Sequence, residues 1–281
     1  MADILEYTVD DIGYWTELKL EMIGKYAAAY SKILSSRNNP SFYHVYIDAF
    51  AGAGVNISRD SGDYVPGSPL NALRIEPPFR EYHLIDLNGN KITMLRDVIA
   101  DFPNSSNAHI YQGDCNEILL KNVFPNVRYS DFRRGLCLLD PYGMHWKWDV
   151  IQKAGEMKSI DILLNFPLHD VKRNALRKNP TAEGIERMNA LWGDETWQND
   201  LFEDDVTLFG KIPAKLEDRE VLNRFRERLQ KVAGFGHVSR ALPLRNSRGL
   251  ILFYLMLASQ KPVATDIVND IVKKYWNSGV R

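Results

Sequence analysis

The sequence predicts an α/β fold with a mostly parallel, Rossmann-like sheet, and two observations support this fold class. Short β-branched or apolar segments alternate with helical segments across residues 42–167, which is typical of parallel strands joined by crossover helices. These apolar segments also end in glycines, acids or an asparagine. Because ligands bind at the carboxyl ends of such strands, we expect the functional site at this edge of the sheet.

The helices and strands are predicted from the periodicity of apolar residues and from the residue types at the ends of each segment. Apolar residues at helical spacing indicate one long helix at residues 14–36. A second helix is expected to start at Ser68, as N-cap, with Pro69 at its first position. Buried parallel strands are expected within segments 42–50, 81–88, 108–119, 134–143 and 159–167. The second of these strands ends at Asp86, and the third leads through Asp114 into a turn or helix.

The C-terminal part of the chain is predicted to complete the sheet. Two strand-like segments within residues 237–259 are joined by the short connector 246–249, which suits an antiparallel hairpin. An amphipathic helix is expected at 262–276. We therefore predict an N-terminal helical segment (1–40), an α/β core (41–167 and 237–281) and a polar, helical insertion over the active site (168–236).

Composition excludes several classes of protein. The chain has 281 residues and a formal charge of −1, from 35 Lys and Arg against 36 Asp and Glu, so it lacks the basic excess of a dedicated nucleic-acid binder. The cysteines, Cys115 and Cys137, have no metal-ligand spacing, so no metal site and a reduced, cytoplasmic protein are expected. The acidic start has no apolar core, and the longest apolar run, residues 250–258, is too short to cross a membrane.

The stretch "DAFAGAG", residues 48–54, places glycines directly after a buried strand. Gly52 and Gly54 allow backbone amides to approach a ligand closely, with Asp48 and Phe50 beside them. The spacing is not that of the dinucleotide fingerprint, and an acid in the turn repels phosphate. An NAD site is therefore disfavoured, whereas a cationic ligand such as S-adenosylmethionine fits. The alternative is a tight loop that binds nothing.

Acids also end the next two predicted strands. Asp86, followed by Leu87, can accept hydrogen bonds from ribose hydroxyls, and Asp114, beside Cys115, can accept from an adenine amino group. An equally good interpretation of either acid is a cap at the start of the following helix.

The stretch "LCLLDPYGMHW", residues 136–146, gives a sharper signal at the fourth strand end. The carboxylate of Asp140 and the carbonyl of Pro141 can both accept from an amino group, and Tyr142 offers a ring on which a planar substrate can stack. Such an arrangement acts by positioning and by stabilising the positive charge that develops on nitrogen. The alternative is a turn that merely ends a strand.

The fifth predicted strand ends in Asn165 and Phe166, which can form the far wall of a substrate pocket. The basic residues Lys172, Arg173 and Arg177 follow, and on a helix they would lie along one side, where they can meet the phosphates of a nucleic acid. The alternative is a solvated helix face.

Five of these stretches stand in the order found in the three-Cys-motif partner family, which the chain resembles over most of its length. They are "YIDAFAGAG", "GSPLNAL", "YHLIDLN", "LLDPYGMHW" and "FYLMLASQKPVATDIVNDI". The family is similar to class I S-adenosylmethionine-dependent methyltransferases, which implies a seven-stranded sheet with a closing antiparallel strand. It also implies that Asp48, Gly52 and Gly54 hold the methionine moiety, Asp86 the ribose and Asp114 the adenine.

The resemblance implies a reaction and a partner as well. The tetrapeptide at Asp140 lacks one proline of the pattern in amino-methylating DNA enzymes and is closer to tRNA guanine-N2 dimethyltransferases. We therefore expect methyl transfer from S-adenosylmethionine to an amino group, of a nucleobase by preference. The alternative is a non-catalytic or cofactor-sensing partner of a radical-SAM-like three-Cys-motif protein encoded nearby.

Overall fold

The computed structural model describes residues 9–36, 42–207, 210–246 and 248–277. The strands are β1 Asp10–Ile12, β2 Tyr43–Asp48, β3 Val55–Ser58, β4 Tyr64–Pro66, β5 Glu81–Asp86, β6 Ala108–Gln112, β7 Arg133–Leu139, β8 Ile160–Phe166, β9 Phe202–Thr207, β10 Gly210–Lys215, β11 His237–Val238, β12 Leu242–Arg245 and β13 Ile251–Ser259. The helices are α1 Tyr14–Ser36, α2 Ser68–Leu73, α3 Gly89–Ile99, α4 Cys115–Ile118, α5 Trp148–Met157, α6 Leu168–Asn174, α7 Ala182–Trp192, α8 Trp197–Asp200, α9 Asp218–Lys231 and α10 Pro262–Asn277.

The main sheet has the Rossmann-like arrangement that the strand–helix alternation predicts. Its order is β6-β5-β2-β7-β8-β13, with β11 and β12 both pairing with the far side of β13. The strands β2, β5, β6, β7 and β8 run parallel, whereas β13 is antiparallel to β8. Within the described residues the sheet therefore has eight strands rather than the predicted seven, because β11 and β12 are separate short strands.

Alternating side chains of this sheet enter two hydrophobic cores. On one face, residues such as Tyr46 and Leu84 pack against α1, α2, α3 and α10. On the other face, residues such as Ile47 and Cys137 pack against α4, α5 and the helices of segment 168–236. The period-two alternation of strand side chains explains why each strand serves both cores.

Helix α1 begins and ends where the sequence predicts, while the elements around it contain additions. β1 pairs in parallel with β3, which also pairs with β4 in a small separate sheet. Segment 168–236 holds the helices α6 to α9, as predicted, and also the hairpin β9–β10. The predicted N-terminal segment 1–40 includes residues 1–8 and 37–40, which lie outside the described residues.

Two local predictions differ from the structure. Gly67, not Ser68, precedes α2 as its N-cap residue, and Pro69 is near its first position. Helix α6 ends at Asn174, so Arg177 does not lie on the same helix as Lys172 and Arg173. None of the helices within the described ranges is both long and apolar enough to cross a membrane.

Candidate active site at the carboxyl edge of the sheet

The carboxyl ends of the parallel strands meet around a cavity of about 340 Å³. Strands β2 and β5 end at Asp48 and Asp86, and Asp140 directly follows β7. The cavity brings together most of the residues predicted for the site, namely Phe50, Gly52, Gly54, Asp86, Leu87, Asp114, Cys115, Asp140 and Tyr142. Its size is within the range of small-molecule sites.

The glycine turn after β2 forms one wall of the cavity. Gly52 and Gly54 have φ values of 64° and 82°, a region that side chains other than glycine rarely adopt. A Cβ at Gly54 would lie 2.8 Å from the methyl carbons of Leu70 and Leu95. Conformation therefore favours glycine at both positions, and packing excludes a side chain at Gly54 as well.

Asp48 supports this turn and does not face the cavity, contrary to its predicted role as a direct cofactor ligand. The side chain is fully buried, and its Oδ1 accepts from the amide of Phe50 at 3.2 Å. The hydroxyl of Tyr46 donates to Oδ2 at 3.3 Å. Burial raises the pKa of Asp48 to about 7, and the nearby Asp140 adds to the rise, although a hydrogen bond from Ser68 opposes it.

Asp86 holds the glycine turn and keeps acceptor capacity for a ligand. Its Oδ2 accepts from the amide of Gly52 at 2.9 Å, and its Oδ1 accepts from the amide of Asn88 at 2.8 Å. Each carboxylate oxygen can accept a second hydrogen bond. Asn88, not Asp86, caps the following helix α3, so the helix-cap interpretation of Asp86 is wrong. Leu87 is 74% exposed at the cavity margin.

Asp114 is both a helix cap and a cavity residue. Its Oδ1 accepts from the amides of Asn116, at 2.7 Å, and Glu117, at 3.4 Å, which caps α4. The neighbouring Cys115 is buried, and burial raises the pKa of its thiol to about 12. The Cys115 side chain is therefore an uncharged wall of the cavity and not a nucleophile.

Asp140 is held by two side chains that the sequence analysis did not connect. The Nζ of Lys19 lies 2.7 Å from its Oδ1 and 2.6 Å from its Oδ2. The Nδ2 of Asn165 donates to the same Oδ1 at 2.8 Å. The Oδ2 atom thus keeps room for a further donor from the cavity.

The loop after Asp140 presents an aromatic ring to solvent. Contrary to its predicted role, Pro141 is buried and is not among the residues that line the cavity. Tyr142 is 72% exposed and lines the cavity, so its ring is available for stacking. The loop is anchored from α6, because the amide of Met144 donates to Oδ2 of Asp170 at 3.0 Å. Arg187 contacts the same carboxylate oxygen at 3.3 Å.

Asn165 and Phe166 were predicted to form the far wall of the cavity. They do not, because both side chains are fully buried. Asn165 acts through Asp140, as described above. The ring of Phe166 packs against that of Phe225, with centroids 4.4 Å apart, in the core beneath α9. Strand β8 is covered on both faces, so its last side chains enter the protein interior and not the ligand site.

The predicted basic patch is divided between different partners. Lys172 forms an ion pair with Asp218 at 2.7 Å, and Arg173 forms one with Asp170 at 3.2 Å. Arg177 is exposed beyond the end of α6. The sequence pattern therefore overstated the patch, because it assumed a longer helix than the structure has.

Sequence reasoning missed the wall that the N-terminal residues supply. Asp10, Thr16 and Lys19 line the cavity together with Ile12 and Leu20. Asp10 also forms an ion pair of 2.5 Å with Lys91, another residue that lines the cavity. By contrast, segment 168–236, which was predicted to lie over the site, contributes no described residue to the cavity lining. It packs on the sheet face that carries Ile47 and Cys137.

Fold and site together define a Rossmann-like α/β protein with a ligand-sized, acidic cavity at the carboxyl edge of its sheet. The sequence matches no family model and no curated protein. A solved structure from Legionella pneumophila, described by the family label DUF519, is similar with a TM-score of 0.50, 13% identity and 92% of each chain covered. At that identity the similarity shows a shared fold alone.

Two methyltransferase structures are also similar at lower scores. The human methyltransferase 10 domain containing protein has a TM-score of 0.42 and 7% identity, with 84% of this chain and 81% of that chain covered. The methyltransferase domain of bacterial CtHen1 has a TM-score of 0.41 and 9% identity, with 85% and 99% covered. The resemblance to the three-Cys-motif partner family stays a prediction.

Proposed function

We propose that the protein is an S-adenosylmethionine-dependent methyltransferase that acts on an amino group, of a nucleobase by preference. The observation that carries this proposal is the common cavity of the glycine turn, Asp86, Asp114 and Asp140. Each of these groups ends or follows a parallel strand, so the fold brings them to one edge of the sheet. Together they supply hydrogen-bond acceptors and negative charge for a cationic, ribose-containing ligand and for an amino acceptor.

The described residues fit the cofactor by charge and by donor set. Acids exceed bases among the described lining residues, and the lysines, Lys19 and Lys91, are already paired with Asp140 and Asp10. The unpaired excess favours a ligand with positive charge. Asp86 would accept from ribose hydroxyls, and the backbone of the glycine turn would contact the methionine part. When bound, S-adenosylmethionine supplies an electrophilic methyl group.

The acceptor would lie between Asp140 and Tyr142. An amino group of the acceptor donates to Oδ2 of Asp140, which directs the nitrogen lone pair towards the cofactor side of the cavity. The carboxylate also stabilises the positive charge that develops on the nitrogen. The exposed ring of Tyr142 stacks on the planar base.

The test is methyl transfer from labelled S-adenosylmethionine to total RNA and genomic DNA. We expect Asp140→Ala to lower the rate by about 100-fold, as the loss of one charge-stabilising group does elsewhere. Asp149→Ala, an exposed acid on α5, serves as the matched control and should keep the wild-type rate. Wild-type activity in Asp140→Ala would contradict the proposed role.

The ion pair between Lys19 and Asp140 favours one second candidate. Because the ammonium already contacts both carboxylate oxygens, the chain can instead bind the cofactor without transferring its methyl group, as a partner of a three-Cys-motif protein. Calorimetry with S-adenosylmethionine and the transfer assay separate the two. Binding, with no transfer to RNA, DNA or that partner protein, would support the second candidate.

A further inference from the structure

Lys19 is an unusual component of the buried side of α1. Its neighbours at helical spacing, Met22, Ile23 and Tyr26, enter the hydrophobic core, and Lys19 itself is only 9% exposed. Its ammonium reaches the cavity, where it meets Asp140, a residue 121 positions further along the chain. A lysine in an apolar stripe needs a partner of this kind to be buried.

Stability alone does not account for this ion pair. Burying two charges costs about as much as their attraction returns, so apolar side chains of similar volume often replace such pairs without loss. The pair includes Asp140, the residue proposed to bind the acceptor, and both of its members line the cavity. A role in recognition is therefore a better explanation for the pair than a role in folding.

The hydrogen-bond geometry shows which chemical group the pair fits. The Nζ of Lys19 lies within hydrogen-bond distance of both carboxylate oxygens of Asp140, and no residue in the described part of the chain other than Asp140 accepts from it. An ammonium has three N–H groups, so one is left for a ligand. Asn165 donates to Oδ1 of Asp140, so Oδ2 is the oxygen open to a new donor. One open donor and one open acceptor thus lie side by side at the cavity.

We propose that Lys19 is a specificity-determining residue that recognises the ring nitrogen next to the acceptor's amino group. In adenine, cytosine and guanine, the amino group lies beside a ring nitrogen that accepts a hydrogen bond. Asp140 accepts a hydrogen bond from the amino group, while Lys19 donates one to the neighbouring ring nitrogen. This inference rests on the proposed function and narrows its substrate class to amino-heterocycles.

The charge of the pair agrees with that class. Lys19 and Asp140 are together neutral, so a protonated alkylamine gains little attraction there and offers no acceptor to Lys19. A neutral, planar amino-heterocycle satisfies both groups without adding charge. A hydrogen-bonding site rejects an analogue that leaves one of its polar groups unpaired.

Calorimetry with nucleosides tests the inference without turnover. The protein is saturated with S-adenosylhomocysteine and titrated with adenosine, cytidine and guanosine, and then with 1-deazaadenosine, 3-deazacytidine and 3-deazaguanosine, which keep the amino group but lose the adjacent nitrogen. We expect the wild type to prefer the parent of at least one pair by about tenfold. Lys19→Met should remove that preference by weakening the parent alone.

The control and the overturning outcomes are specific. Lys25→Met changes an exposed lysine of the same helix, one that pairs with Glu21, and should keep the wild-type preference. A preference that persists in Lys19→Met would overturn the inference, as would equal binding of all parents and analogues, or no nucleoside binding at millimolar concentration, by the wild type. The wild-type comparison does not depend on the variant's folding.

Methyl transfer to total RNA and DNA keeps the two proposals apart. Transfer that depends on Asp140 but shows no role for Lys19 leaves the proposed function standing and removes the inference. Absence of transfer, together with no binding of S-adenosylhomocysteine, removes the proposed function itself.

Discussion

Asp48 shows how a single buried carboxyl couples the turn beside the cavity to the stability of the protein. Its side chain is fully buried, and burial raises its pKa from 3.8 to about 7, with a further contribution from Asp140. In the unfolded chain the group ionises near its ordinary pKa. Between these two pKa values the folded state holds a proton that the unfolded state has released, so the free energy of unfolding falls as pH rises.

We expect Asp48→Asn to remove this part of the pH dependence. Relative to the wild type, the free energy of unfolding of the variant should increase by on the order of 1–2 kcal/mol between about pH 5 and about pH 7. Urea unfolding at the two pH values measures it. Asp97→Asn, an exposed acid on α3, should give the same difference from the wild type at both. A pH-independent difference for Asp48→Asn would contradict the argument.

At the residue scale, sequence reasoning located acids at strand ends but not the partners of those acids. Asp86 and Asp140 could be predicted because each comes at the end of an apolar run, and such a pattern is local in the chain. The pairing of Asp140 with Lys19 spans 121 positions and depends on how α1 packs on the sheet. The available signal was a lysine within an apolar helical stripe, which indicates a buried charge without naming its partner.

At the scale of elements, the glycine turn after β2 combines two separate constraints. Gly54 and Gly62 both have positive φ, at 82° and 76°. A Cβ on Gly62, in the turn between β3 and β4, would meet nothing within 4 Å, whereas one on Gly54 would lie 2.8 Å from methyl carbons of Leu70 and Leu95. Comparing the two positions therefore separates packing from backbone conformation.

We expect Gly54→Ala to destabilise the protein by about 1–3 kcal/mol more than Gly62→Ala does. Both variants place a side chain at positive φ, and only the first also overpacks a buried site. Chemical denaturation of the two variants at one pH gives the difference directly. Equal losses of stability would show that Leu70 and Leu95 move aside without cost.

The long elements were predictable, whereas the short ones were not. The parallel strands are marked by β-branched runs, and α1 by helical spacing over its whole length. β1 and β3 have three and four residues, too few for a periodic pattern, and their pairing depends on the fold around them. They place Asp10, Ile12 and Asn56 at the cavity, which is why these lining residues were missed.

At the scale of the whole molecule, segment 168–236 is part of the core and not an attached unit. The ring of Phe225, on α9, packs against those of Trp146 and Phe166, with centroid distances of 5.9 and 4.4 Å, and also contacts Trp192. Its polar composition suggested an insertion, because the apolar residues that it buries are spaced along separate helices. The packing predicts one cooperative unit.

We therefore expect the wild type to unfold in one transition, with tryptophan fluorescence and far-ultraviolet circular dichroism changing together. Phe225→Ala should lower the free energy of unfolding by about 3–5 kcal/mol, because it leaves a cavity among large, fully buried rings. Both signals should shift to the same lower denaturant concentration. Transitions of the two signals at different denaturant concentrations would instead contradict a single cooperative unit.

Val232→Ala is the matched control for this experiment, since Val232 follows the same helix and is 48% exposed. Its truncation removes little buried surface, so both transitions should stay close to those of the wild type. Because the loop of Tyr142 is anchored to α6 through Asp170, a joint transition would also agree with formation of the Tyr142 side of the cavity together with segment 168–236. A control variant as unstable as Phe225→Ala would place the stabilising contacts in α9 itself and not in its packing on the sheet.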